Sequence, residues 1–293
     1  MIRPRLIYYN DAHHFHGKRV EPPVSRHMLQ WPVDELAGTG ADTLVLGLGY
    51  GDVYFHDSKV GRVVGQEKEV WQSIIDWRIM RMVEEARKLG TDQLREVLNR
   101  GRAMSLAVFP SLKLQDGAKP GHERCGWLKW KHGRAVCTGE KDPRHPGLEY
   151  SYDFANPSVR EDKKNMIREM LEDYRADGIE LDFMRHPGVF RPEQGYANRH
   201  LLTDMVRQLR ARMDEIGKAK GRALELEVRV ASSLYDSERL GMEAERWMKE
   251  GLVDIVVTGL GFRPFEAKVA EFAAAAEGTG CQVLGCFEGL RPV

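Results

Sequence analysis

Two segments of this chain alternate charge with apolar bulk at every second residue. In residues 224–231, Glu225, Glu227 and Arg229 interleave with Leu224, Leu226, Val228 and Val230. In residues 178–183, Glu180 and Asp182 interleave with Ile179, Leu181 and Phe183. A period of two is the signature of a strand, and it sets all of the charge on one face.

Both strands sit in a chain that alternates strands with helices. Residues 5–10, 43–48, 104–109, 253–258 and 282–287 read as five more strands. Between them, apolar residues recur at helical spacing. Ile75, Ile79, Met82, Val83 and Ala86 mark one helix within 67–89, and Leu94, Val97 and Leu98 mark another behind a Thr91 cap. Pro32 starts a short helix, and Asn156 and Pro157 open one carrying Val159, Met166 and Met170. Residues 201–216 form another. Ser237 caps a helix with Leu240 and Trp247, and Phe265, Val269 and Phe272 define the last.

Parallel strands need such crossovers. An open doubly wound sheet is covered on both faces, so its strands read apolar on both sides. Charge on one face suits the inside of a barrel near its functional rim. The expected fold is therefore α/β, a (β/α)8 TIM barrel forming a single domain over residues 1–293, with a long inserted rim loop at about 110–150. Only seven strands are counted, and the chain ends just after the seventh, so either the last strand–helix unit is absent from this chain or one element has gone unread.

Composition narrows the partners. Lys+Arg and Asp+Glu are both 44, so no basic excess exists to neutralise phosphates, and nucleic acid is not expected. No apolar run reaches the roughly 18 residues of a membrane-span candidate. Met1 is followed by Ile-Arg-Pro-Arg without an apolar leader, which fits an intracellular chain or one given without its leader. Gly47, Gly49 and Gly51 lack the spacing of a dinucleotide-binding loop and read as a tight rim turn.

In barrels of this kind the chemistry sits at the C-terminal strand ends. Those ends supply Asn10, Asp11, His13, His14 and His16; Tyr50 and Asp52; Glu180, Asp182 and Arg185; Glu227 and Arg229; and Glu288. Asp182 points inward near the rim, where a carboxylate offers general acid, base or nucleophile chemistry. The bland alternative is a buried ion pair with Arg185 or Arg229. Glu288 is the favoured second carboxylate, ahead of the deeper Glu227. His14 and His16 raise a metal reading, but no histidines stand at the later strand ends to complete it, so no metal or cofactor is assigned. In the long loop, His122, Cys125, Cys137 and His145 fit no zinc-finger spacing, and the two cysteines read as free thiols or, in an exported protein, as a disulfide. Trp127 and Trp130 offer indole faces for stacking on sugar rings.

The segment from Tyr152 to Arg160, followed by a helix and by the segment from Tyr174 to Pro187, resembles the glycosyl-hydrolase-like 10 family. The positions that carry the likeness are Asn156, Pro157, Val159, Arg160, Asp177, Gly178, Ile179, Asp182 and Pro187. The resemblance implies a barrel glycosidase fold, a carbohydrate substrate and a place for Asp182 in the active site. The family usually has a further acidic residue after Asp182, where this chain has Phe183, Met184, Arg185 and His186. The expected site thus pairs Asp182 with Glu288, and Asn10, His13, Tyr50, Asp52, Trp127, Arg185 and Arg229 hold sugar groups.

Overall fold

A computed structural model describes residues 6–71, 73–143, 147–184, 186–259 and 267–287. Seven parallel strands form one sheet: β1 (Ile7–Asn10), β2 (Thr43–Gly47), β5 (Ala107–Lys113), β6 (Gly178–Asp182), β7 (Glu225–Val230), β8 (Ile255–Thr258) and β9 (Gln282–Gly285). They lie side by side in chain order. A separate two-stranded parallel ribbon, β3 (Val53–Tyr54) with β4 (Arg62–Val63), follows β2 and has no counterpart in the sequence reading.

Strand order decides where the helices go. Right-handed crossovers between sequential neighbours keep every connection on one face of the sheet. The helices are α1 (Arg26–Asp34), α2 (Ile74–Lys88), α3 (Gln93–Ala103), α4 (Trp127–His132), α5 (Pro157–Glu172), α6 (Gly195–Lys220), α7 (Leu234–Arg239), α8 (Ala244–Lys249) and α9 (Val269–Ala275). Leu44, Leu46, Val108, Ile179, Leu181, Leu226, Val228 and Val256 point to this side. They share one core with Ile79, Val97, Ile167, Val206, Trp247 and Phe272 from the helices.

Among the described residues no helix packs into the small core of the opposite face, and that face curls on itself. Val45, Phe109, Ile255 and Val257 form a separate small core there, with Ile7, Tyr9 and Leu284 against it. Four strand steps separate β1 from β7, roughly 19 Å in a flat sheet. Yet the Arg229 Cζ on β7 lies 4.6 Å from the centroid of the Tyr9 ring on β1. The sheet is therefore a curled partial barrel; among the described residues β9 does not pair with β1 to close it.

Several boundaries differ from the sequence expectation. Strand β5 runs on through Pro110 to Lys113, so the long loop begins at 114 rather than 110. Helix α1 starts at Arg26 behind a Ser25 cap and carries Pro32 inside it. Asp92, not Thr91, caps α3; the Thr91 hydroxyl instead donates to Glu96 at 2.8 Å. The helix expected behind Ser237 is two helices, α7 capped by Ser233 and α8. Asn156 caps α5 with Pro157 in its first turn, as expected.

One glycine is required by the curl. A Cβ on Gly178 would lie 2.6 Å from the Glu225 carbonyl oxygen and 2.7 Å from the Phe109 ring. Gly178→Ala is expected to destabilise the chain by about 1–3 kcal/mol. A urea midpoint unchanged from the wild type would contradict this packing.

Candidate active site

The inner face carries charge in two layers. Near the C-terminal edge, Lys113, Asp182 and Arg229 are register neighbours on β5, β6 and β7. One layer deeper, Ser111, Glu180 and Glu227 are neighbours on the same strands. Arg229 ties the layers together: its Nη2 donates to Asp182 Oδ2, and its Nε lies 3.4 Å from Glu180 Oε1. Asp182 Oδ1 also accepts the Met184 N–H at 2.8 Å. Lys113 donates to the Gly49 carbonyl at 3.1 Å. Asp182 faces inward, as the alternation predicts, but its side chain is 0% exposed rather than open at the rim.

Burial dominates the electrostatics. Desolvation, reinforced by the Asp182 charge and only partly offset by Arg229, pushes the Glu180 carboxyl up to about 7. Glu227 is raised well above the usual carboxylate range by burial and by Glu180 beside it. Burial opposes the charge on Arg229, yet Asp182 and Glu180 override it and hold the guanidinium above its ordinary pKa. The layer therefore keeps a protonated acid at neutral pH next to a buried ion pair.

The end of β1 builds one wall. Asn10 is buried, and its side chain accepts the Ala12 N–H at 2.9 Å. Ala12 takes a left-handed φ of 56° and turns the chain back over the strand end. His13 packs on Tyr50 with ring centroids 5.0 Å apart; desolvation holds its pKa down to about 4. Tyr50 donates to Asp76, and the Arg124 guanidinium lies 4.2 Å from its ring. His14 pairs with Asp11, whereas His16 turns away. His16 is 1% exposed, with Nδ1 2.9 Å from the Ala12 carbonyl and its ring against Phe55. The His14–His16 metal pair weighed from sequence therefore does not form.

Asp52 and Trp127 sit elsewhere. Asp52 is sealed behind the strand ends, where it accepts the Tyr152 hydroxyl and faces Lys163 at 3.8 Å. The Tyr152 ring is held between Lys129 and Lys163, with ammonium-to-centroid distances of 4.4 and 4.5 Å. Trp127 and Trp130 flank the Arg62 guanidinium at 5.7 and 4.4 Å instead of presenting free faces to a sugar. Cys125 and Cys137 are buried free thiols. Arg185, Glu288 and His145 lie outside the described residues.

The sequence reading missed Ser111 and Lys113, which it assigned to the loop, and Tyr9, whose ring stacks on Arg229. Two-residue alternation extended past Pro110 would have found the first two. Among the described residues no helix is long and apolar enough to cross a membrane.

Neither a family model nor a curated protein matches the chain. Solved structures do. A cycloisomaltooligosaccharide glucanotransferase from Paenibacillus sp. superposes with a TM-score of 0.54 at 9% identity, covering 90% of this chain and 37% of its own. A maltogenic alpha-amylase from Thermotoga neapolitana gives 0.48 at 15% identity, covering 86% of this chain and 48% of its own. A glycoside hydrolase family 18 N-acetylglucosaminidase from Paenibacillus barengoltzii gives 0.48 at 13%, covering 95% and 67%. The chain thus spans about half the length of the amylase. At 9% identity the superposition with the glucanotransferase shows a likeness of fold and nothing about chemistry.

Proposed function

We propose that this chain is a glycoside hydrolase that cleaves glycosidic bonds in an oligo- or polysaccharide at the mouth of the curled sheet. Asp182 is the first catalytic carboxylate and Glu288 the second, with Glu227 the deeper alternative. Residues 1–293 act as one catalytic domain, and the hydrolysis needs no cofactor. Asn10, His13, Tyr50, Arg185 and Arg229 contact sugar hydroxyls or carboxylates. Asp52 and Trp127 are engaged elsewhere and drop out of that set.

The observation that carries the reading is one buried arginine that donates to Asp182 at the C-terminal edge of parallel strands and lies 3.4 Å from Glu180 one layer deeper. Apolar residues of similar volume stabilise such a position as well or better, so a buried cluster of acids points to chemistry. Glu180, raised to about 7, is partly protonated at neutral pH, so the cluster holds an acid proton beside Asp182. A fold neighbour with a TM-score of 0.54 is named for action on a carbohydrate, which supports the substrate class.

A second reading, a non-catalytic carbohydrate-binding barrel, is favoured by a different observation. Arg229 and the Met184 N–H each engage one Asp182 oxygen and the side chain is 0% exposed, so substrate reaches that carboxylate only after the residues around it move. One experiment separates the two. Wild type and Asp182→Asn are assayed on a glycan library for both cleavage and binding. Cleavage by the wild type that disappears in the variant supports the hydrolase. Binding without cleavage by either protein selects the second reading, and undiminished cleavage by the variant removes Asp182 from the mechanism.

A further inference from the structure

Among the described residues one group brings three potential metal-ligand atoms within 4.8 Å of one another: Asp11, His13 and His14. It lies at the C-terminal end of β1, beside the mouth and outside the carboxylate layers. We propose that these three side chains bind a first-row divalent metal ion.

The donor set is two imidazoles and one carboxylate. That combination suits zinc, iron or manganese, and three protein ligands leave positions open for water or an oxygen ligand. Two further observations point to a ligand. His13 Nε2 is shielded from solvent and has no hydrogen-bond partner among the described residues, an unsatisfied nitrogen in a polar wall. The Asp11 carboxylate is also oriented in advance: its Oδ1 accepts the His14 N–H at 2.9 Å, and its Oδ2 is hydrogen-bonded to His14 Nδ1, a contact that an ion seated between the two atoms would replace. Supporting hydrogen bonds of this kind fix metal ligands in other sites. The backbone turn does the rest, because the His13 N–H bonds back to the Asp11 carbonyl at 2.6 Å and the left-handed Ala12 brings the three residues round one point.

The site has an open side. The His14 side chain is 56% exposed and that of Asp11 25%, so an ion enters without unfolding the turn. Lys113 and Arg124 lie close enough to act electrostatically on His13. Their positive charge opposes a bare cation, which places affinity below that of a closed four-ligand site and favours an anionic or oxygen-rich ligand in the open positions.

This inference turns His13, which the hydrolase reading sets against sugar groups, to a metal instead, and it is tested apart from that reading because metal binding is measured without any glycan. The metal-stripped wild type is titrated calorimetrically with zinc ion in a non-coordinating buffer. One equivalent is expected to bind. Asp11→Asn and His14→Ala, both at solvent-accessible positions, are expected to weaken binding by at least roughly 10–100-fold, while the exposed control His200→Ala leaves it unchanged. In wild type, histidine side-chain NMR on zinc addition is expected to shift His13 and His14 but not His16, and this reading does not depend on how the variants fold. Absence of stoichiometric binding, binding that both variants retain, or zinc-induced shifts confined to other histidines overturns the proposal.

Discussion

Replacing Arg229 by methionine is expected to lower the melting temperature by roughly 10 °C at neutral pH. The guanidinium is 8% exposed and holds Asp182 and Glu180 at once. Methionine fills much of the volume but leaves Asp182 without its buried cation. Breaking a buried pair from one side costs about 3–5 kcal/mol, because the remaining charge has neither water nor partner. In a chain of this length each kcal/mol moves the transition by about 2–4 °C. Arg229→Lys is expected to fall between the two. It keeps the charge, but a single ammonium lacks the planar fork that reaches two carboxylates on neighbouring strands. Differential scanning calorimetry decides the matter: a methionine variant that melts with the wild type would mean that the pair contributes nothing net.

That network was legible in the sequence because it lies on strands. A period of two needs no neighbour to be read, and it correctly turned Glu180, Asp182, Glu227 and Arg229 to one face. The pairing of Asp182 with Arg229 was weighed as the bland alternative, and the structure contains it. The same rule failed at β5 because of Pro110. A proline lacks the donor that a central strand uses, so it argues for a strand end. Here the strand continues to Lys113, and a mouth residue was misplaced into a loop.

Irregular segments were less readable for a physical reason. Asp52, Trp127, His14 and His16 lie on turns and short helices, where no periodicity says which way a side chain points. Asp52 followed a strand end and so resembled a rim residue, but the β3–β4 ribbon folds it inward onto Tyr152 and Lys163. His14 and His16 are two residues apart, yet the turn sends one to Asp11 and the other into the apolar contacts of Phe15 and Phe55. Spacing alone equated them; packing separates them.

The second large effect concerns pH. Glu227 is expected to make the fold less stable as pH rises, and Glu227→Gln is expected to remove that loss. The folded-state pKa of Glu227 lies well above its ordinary value of 4.5, through burial and the adjacent Glu180. The folded chain therefore binds a proton that the unfolded chain has released once pH exceeds about 4.5. Stability falls by about 1.4 kcal/mol per pH unit from that group as pH climbs above its unfolded value. Glu180, raised to about 7, adds to the same decline until pH passes its own folded value. His13 and His16 act oppositely. Both are held down to about 4, so they cost stability as pH drops below 6.5. The total curve mixes these signs, and only the difference between wild type and Glu227→Gln isolates the carboxyl. The carboxamide keeps the shape of the protonated carboxyl and cannot ionise in either state. Urea unfolding at a series of pH values is expected to give similar stabilities near pH 5 and a variant more stable by about 2–3 kcal/mol near pH 7. Two parallel curves would show that Glu227 ionises in the folded protein as it does in the unfolded chain, and that the deeper layer is hydrated rather than sealed.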